Sequence, residues 1–450
     1  MSASAFFNAN NNQGDVLNVV TTSSSATTFD PAIVLYSTKL GRWDFGDGVA
    51  QATNSPSYTY SDSGITKNVK FSIDRFSNVA QVTMNGDNIG GSLDFSKFTR
   101  CIGGFTANSN PLLTGITFPS TTENINGVIL FSCDITGELD LSVMTNLHGA
   151  VNLSFNPNLT GLTILPSSTK SFTSFQAPQC DIYGRLDFSG YTGGFGGQID
   201  FSNNVNLTGL TFPSNSDNIT TFNLNSVGLT EPLDLSILSG FGGSIQMSAL
   251  DCPTITFPSN SNNITLFAIN ANNNIIDYNI SGLTGLGGSV NIQGHPSLTG
   301  ITIPASSNSI TSLAFNGNTV LKNLDLSPLS GINGNIFITS SPSFSGVTFP
   351  FVNTSVSQLH LNNCKFDSYI DCTRLSASTN HGFYTRLDQN SVPTSGINHM
   401  LYDFDNFGWT GGTFISTGGL NGAPDGSSGG YNGTGATANL LLKGWTVTTN

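Results

Sequence analysis

Residues 310–327 read ITSLAFNGNTVLKNLDLS, and residues 219–236 read ITTFNLNSVGLTEPLDLS. In both, a strand of alternating apolar and polar residues leads into a polar turn. A leucine or similar residue follows, then a second short strand ending in L-D-L-S. AVNLSFNPNLTGLTILP (150–166) and GSVNIQGHPSLTGITIP (288–304) have the same layout but close on proline. Alternation turns one face of each strand inward. A segment of ~23 residues cannot bury that face alone, so neighbouring segments must stack.

The two endings interleave along the chain. LDFS at 93–96, LDLS at 139–142, LDFS at 186–189, LDLS at 233–236 and LDLS at 324–327 form one series, with YNIS at 278–281 and IDCT at 370–373 in phase. Pro119, Pro166, Pro213, Pro258, Pro304 and Pro350 close the strands of the other. Proline suits a strand end, where no ladder donor is required. Each series repeats at about 46 residues, so a unit divides into two turns of about 23, giving about thirteen turns over residues 75–375. The second kind of turn carries Asn after its strand at Asn85, Asn225, Asn270, Asn316 and Asn362, a row broken at Phe131 and Pro178.

This pattern resembles a leucine-rich repeat, whose L-x-L-x-x-N-x-L core is matched here to Phe222-x-Leu224-Asn225-x-x-x-Leu229. The I-T-x-P-x-S-x-x-x-I-T-x-x-x-F form is similar to the BspA-type bacterial subclass. The resemblance implies a solenoid with apolar residues inside and an asparagine ladder bonding turn backbone.

Residues 1–74 do not follow the period. WDFGDG (43–48), SPSYTY (55–60) and NVKFSI (68–73) resemble a PKD domain, an immunoglobulin-like sandwich, with Tyr58 where that family has histidine. Asp44 and Asp47 are read as bonding local backbone rather than calcium. The period stops after Leu375. Ile397, Met400, Leu401 and Phe404 within TSGINHMLYDFDNF (394–407) lie at helical spacing and predict one amphipathic helix. Residues 376–450 are therefore expected to cap the solenoid; GGLNGAPDG and KGWTVTTN there resemble caps of repeat proteins from Bacteroidota and their phages. The fold expected is mainly β: an Ig-like sandwich at 1–74, a solenoid at 75–375 and a one-helix cap at 376–450.

Composition narrows the function. Charged residues are 9% of the 450, with a net charge of −13. No basic footprint exists for nucleic acid or an anionic membrane. No stretch approaches the ~20 apolar residues of a membrane span. MSASAFFNANNNQGDVLNVV (1–20) has no basic region followed by an apolar run, so no export leader is recognised. Cys101, Cys133, Cys180, Cys252, Cys364 and Cys372 lack the close spacing of a zinc site or disulfide framework and read as small buried hydrophobes. His148, His295, His360, His381 and His399 form no metal motif. The Gly-Gly pairs recur near the period and are read as turns rather than phosphate cradles. The aspartates of the L-D-x-S series (Asp94, Asp140, Asp187, Asp234, Asp325) recur too regularly for a catalytic pair and are expected to cap turn backbone. No catalytic residue, cofactor or metal is expected.

What remains is a surface. The residue between the two apolar strand positions falls into one row, whose partner-binding members are taken as Asn152, Gln176, Asp200, Asn223, Gln246, Asn291, Phe337 and His360. The row is amide-rich and nearly chargeless, suited to glycan or partner backbone. The expected function is a structural or binding protein on a phage virion surface, a fibre, spike or decoration that contacts host glycan or protein. Its N-terminal domain would attach to virion proteins, with self-association open. The alternative is a secreted bacterial adhesin.

Overall fold

A computed structural model describes residues 14–22, 28–121, 123–164, 169–305, 307, 309–351, 355–375 and 381–450. Pro166, assigned above to the proline series, lies outside them. By its contacts the chain forms two compact units, Met1–Asp217 and Asn218–Asn450. Their boundary falls within the repeats and not at residue 74 or 375. The physical reason is strand pairing, which runs through both of those positions.

In the first unit, parallel strands Val79–Thr83, Phe105–Thr106, Asn126–Ile129, His148–Asn152, Phe172–Gln176 and Phe195–Asp200 pair in sequence order. In the second, Phe241–Ser248, Ile264–Asn270, Leu286–Gln293, Ile310–Ala314, Ile332–Phe337 and Gln358–His360 continue the same pattern. Alternate residues point inward as the sequence requires: Val151, Phe175, Ile199, Ile245, Phe267, Val290 and Ile336 are all buried.

The 46-residue period has a structural cause. Each L-D-x-S strand pairs with the I-T-x-P strand of the following turn, as Gly137–Asp140 does with Leu159–Thr163 and Asn323–Asp325 with Gly346–Thr348. From Gly137–Asp140 onward these side sheets have two strands each, among the described residues, while the first pair, Ile89–Asp94 with Leu112–Thr117, belongs to a six-stranded sheet with the N-terminal strands. After the I-T-x strand comes proline, which has no N–H to carry the pairing further.

Gly103 and Gly193 lie in turns, as read, but the Gly-Gly pairs at 196–197, 242–243 and 287–288 lie within strands. Gly243 (φ 68°) and Gly288 (φ 59°) enter strands where the register shifts. A Cβ on either would lie 2.0 Å from the carbonyl oxygen of Thr220 or Thr265 in the preceding turn. The glycine admits both the left-handed backbone and the close approach of neighbouring turns.

At the N-terminus, Ala50–Ala52, Arg42–Asp44, Thr66–Ile73 and Asp15–Thr22 form an antiparallel sheet. Val19, Phe29, Ile33, Trp43, Phe45 and Phe71 are buried there, with Trp43 and Phe71 rings 4.8 Å apart. This segment is joined to the repeats by main-chain hydrogen bonds. Asp15–Thr22 pairs antiparallel with Ile89–Asp94, and Ala32–Leu35 with Val79–Thr83. It thus covers the open edge of the first turn. Asp44 accepts from Gly46 N–H and Asp47 from Val49 N–H, each at 3.1 Å, while the Tyr58 hydroxyl donates to Asp47 at 2.6 Å.

At the other end the repeat lengthens rather than stops. Tyr384–Arg386, Thr413–Ser416 and Thr446–Thr449 extend the same parallel sheet. The added residues form two helices between them, α1 (Thr394–Asn406) and α2 (Gly433–Leu442), where one was expected. Helix α1 buries Ile397, Met400, Leu401 and Phe404, the residues that predicted it. Helix α2, GTGATANLLL, is short and glycine-bearing, with weak amphipathic patterning; Asn432 caps it by accepting from Gly435 N–H at 2.8 Å.

Candidate functional site

Two asparagine rows run along the turns, and the inner one holds the interior together. A residue with positive φ recurs from turn to turn: Ser109, Ser132, Phe155, Gln179 and Asn203 in the first unit, and Ser226, Ala249, Ala271, Gly294, Gly317, Ser340, Asn363 and Gln389 in the second. The next residue points inward. These are Asn110, Cys133, Asn156, Cys180 and Asn204, then Val227 and Leu250, which are apolar and interrupt the row, then Asn272, His295, Asn318, Ser341, Cys364 and Asn390. Asn156 donates to the carbonyls of Leu130 and Leu153 at 2.8 Å and accepts from Ile135 N–H at 3.1 Å. Asn110, Asn204, Asn318 and Asn390 repeat the donation to the preceding turn.

The L-x-L-x-x-N phrase is therefore met by Val151-x-Leu153-x-x-Asn156, and the alignment through Asn225 is two residues early. The row of Asn85, Asn225, Asn270 and Asn316 is a second, outer ladder. Each of these accepts from a backbone N–H in the following turn, at 2.9–3.2 Å. Three cysteines take the inner position. Cys133, Cys180 and Cys364 thiols donate to Ala107, Leu153 and Ile338 carbonyls at 3.0–3.3 Å. Burial pushes all three thiols up to about 11, so each keeps the proton it donates. They are thus hydrogen-bonding substitutes for asparagine rather than plain hydrophobes.

The L-D-x-S aspartates cap backbone. Asp94, Asp187, Asp234 and Asp325 each accept from the N–H of the serine two residues on, at 2.9 Å, and Asp140 does so at 2.8 Å. Asn279 fills the same role in its turn. Asp234→Asn is accordingly expected to leave the melting temperature unchanged, whereas Asp234→Ala should cost about 0.5–1 kcal/mol in a thermal melt.

Strand pairing places the predicted partner-binding residues in one row within each unit. Asn152, Gln176 and Asp200 are cross-strand neighbours in the first. In the second unit Asn223, Gln246, Ala268, Asn291, Ala314, Phe337 and His360 are successive neighbours. All eight predicted residues are half-buried. Three are partly occupied by their own turns: Asn152 accepts from Ser154, Asp200 from Ser202 and Asn223 from Asn225 N–H. Gln176 donates to Gln198 at 2.9 Å, Gln246 to Ser244 and Asn291 to Ser289.

The second unit carries the row further than the sequence reading took it, through Arg386, Ile415 and Thr448. A companion row on the same face runs Thr221, Ser244, Leu266, Ser289, Ser312, Asn335, Gln358, Tyr384, Thr413 and Thr446. Arg386 is the one charged residue in these two rows. Asp388 holds it through two hydrogen bonds, at 2.9 and 2.8 Å. The Phe337 and His360 rings lie 4.9 Å apart at 80°, and those of His360 and Tyr384 5.2 Å apart at 49°. Burial, and secondarily Arg386, hold the His360 imidazole below its usual range, so it is neutral at pH 7. The phrase Thr385-x-Leu387-x-x-Asn390 was the signal that this strand exists.

Among the described residues, no three His, Cys, Asp or Glu side chains lie close enough to share a metal ion. No helix among them is long and apolar enough to cross a membrane.

The stacked parallel strands, inner ladder and short turns define a β-solenoid of leucine-rich-repeat type. No family model and no curated protein matches the chain. Among solved structures, it is similar to an internalin from Listeria monocytogenes over 83% of this chain and 87% of that one, at 12% identity and a TM-score of 0.28.

Proposed function

We propose that this chain is a non-enzymatic binding protein that uses the strand face of its second unit to hold a polar, uncharged partner on a cell surface. The observation that carries this reading is the chemistry of that face. Ten paired strands, roughly 43 Å at the usual strand spacing, present amides and hydroxyls with a single, internally neutralised ion pair. Amides and hydroxyls donate and accept at once, so they suit sugars and peptide groups. Such a face gives an anionic or cationic partner no net attraction.

The finer reading is a phage virion component of BspA-like repeat type, with a PKD-like N-terminal segment attaching it to the particle. It rests on the low-charge, Gly/Asn/Ser/Thr-rich composition and the WDFGDG turn. Mass spectrometry of purified particles from the source culture tests carriage. Stoichiometric abundance supports it, and presence only on intact cells favours a bacterial adhesin. The binding role is tested with the full chain on cells of that culture. Gln246→Arg with Asn291→Arg puts bulk and charge into the row and is expected to weaken binding at least tenfold. Unchanged binding would overturn the role of the face.

A further inference from the structure

We infer that the partner of this face is a neutral glycan, and that it docks where Phe337 and His360 of the central row meet Tyr384 of the companion row, beside Arg386. The inference rests on the binding role proposed above and narrows it to one locus and one chemical class.

From Asn223 to Ala314 the central row holds only amides and alanines. Phe337 and His360 then follow, and the His360 ring packs against both Phe337 and Tyr384 of the companion row. They are not needed for the interior, because the inward positions of the same strands are filled by Ile336, Leu359 and Thr385, all buried. Half-buried rings on an outward face are surface that a ligand can cover. The C–H faces of a pyranose pack on aromatic carbon, while its hydroxyls need paired donors and acceptors at the rim. Arg386 supplies the donors: Asp388 engages two of the N–H groups of its guanidinium fork. Asn335 and Gln358 lie beside them in the adjacent row, on the strands of Phe337 and His360 respectively. The His360 Nε2 is buried without a hydrogen-bond partner. That is a polar atom held inside an aromatic cluster at a cost, which a purely structural face would not require.

Charge selects against acidic polymers. The Arg386–Asp388 pair is neutral overall, and the chain carries −13, so a polyanionic glycan would be repelled at long range.

The test uses envelope fragments from cells of the source culture, treated with periodate to open sugar diols or with protease to strip protein. The full chain is expected to lose at least tenfold in binding after periodate and to be insensitive to protease. Phe337→Leu keeps apolar bulk and removes the ring. It is expected to weaken binding five- to tenfold with an unchanged melting temperature, as is Tyr384→Ser. Protease-sensitive, periodate-resistant binding that Gln246→Arg with Asn291→Arg still abolishes would make the partner a protein. That outcome overturns the glycan and leaves the binding face standing. Periodate-sensitive binding that is unmoved by Phe337→Leu and Tyr384→Ser overturns the locus. Binding unmoved by every face variant overturns the underlying role as well.

Discussion

Asn156→Ala is expected to destabilise the first unit by about 4–6 kcal/mol, several times more than a typical substitution. The side chain is fully buried, and it links two turns through the Leu130 and Leu153 carbonyls and the Ile135 N–H. Alanine removes three hydrogen bonds worth about 1 kcal/mol each and strands a buried N–H, which costs a further ~1–3 kcal/mol. The comparison variant is Asn156→Cys. Cys133 and Cys180 occupy the same position in the flanking turns and give their thiol proton to the preceding turn. Cysteine at 156 should therefore retain half or more of what alanine loses. Denaturant unfolding of the full chain, with hydrogen exchange at Ile135, measures both. Equal losses for the two variants would mean that packing rather than the ladder sets stability here.

Asp87→Asn is expected to stabilise the first unit by about 2 kcal/mol above pH 7 and by nothing below about pH 4. Asp87 follows Gly86, which has φ 70°, and so takes the inner-ladder position of the first turn. One carboxyl oxygen accepts from Asp30 N–H at 2.7 Å; the other is buried without a partner. Burial pushes the carboxyl up from 3.8 to about 7. The folded chain therefore holds this proton more tightly than the unfolded chain does. Its contribution is intact below pH 4 and is lost as pH rises to about 7. A shift of that size corresponds to about 4 kcal/mol at most; relaxation of the site reduces this to roughly half. Asparagine keeps the acceptor, and its amide can donate to the Met84 carbonyl three residues back, the bond that Asn156 makes to Leu153. Melting temperatures of both proteins from pH 4 to 8 should converge at the acid end. Parallel curves across that range would remove Asp87 as the titrating group.

Much of the architecture was legible because a solenoid repeats its own instructions. Alternating apolar residues at a spacing of about 23 set which face of each strand is buried, and the cross-strand partners of Asn223, Gln246, Asn291 and Phe337 follow from counting. Proline at every second turn marked where side-sheet pairing ends. The binding row was legible for the same reason, up to His360. Its continuation to Arg386 was hidden because that step is 26 residues and not 22 to 24, and helices lengthen the turns after it, although the strands still pair in order.

Other features depend on groups that meet only after the chain has stacked. The outer asparagines form the more conspicuous series, so the inner ladder, two residues on from Asn270 and Asn316, was passed over. Its members change type from Asn156 to Cys180, His295 and Ser341 because several residue types can aim a donor at the preceding turn, and Val227 and Leu250 interrupt it with apolar side chains. The residue before each is seldom glycine, so the left-handed turn left no compositional mark. Sequence alone determined the repeat, its two turn types and the uncharged strand face, since each is set by local periodicity. The tertiary structure decided which buried groups hold the turns together, how the N-terminal strands close the first turn and where the rings cluster. Those depend on hydrogen bonds and contacts between residues 20 or more positions apart.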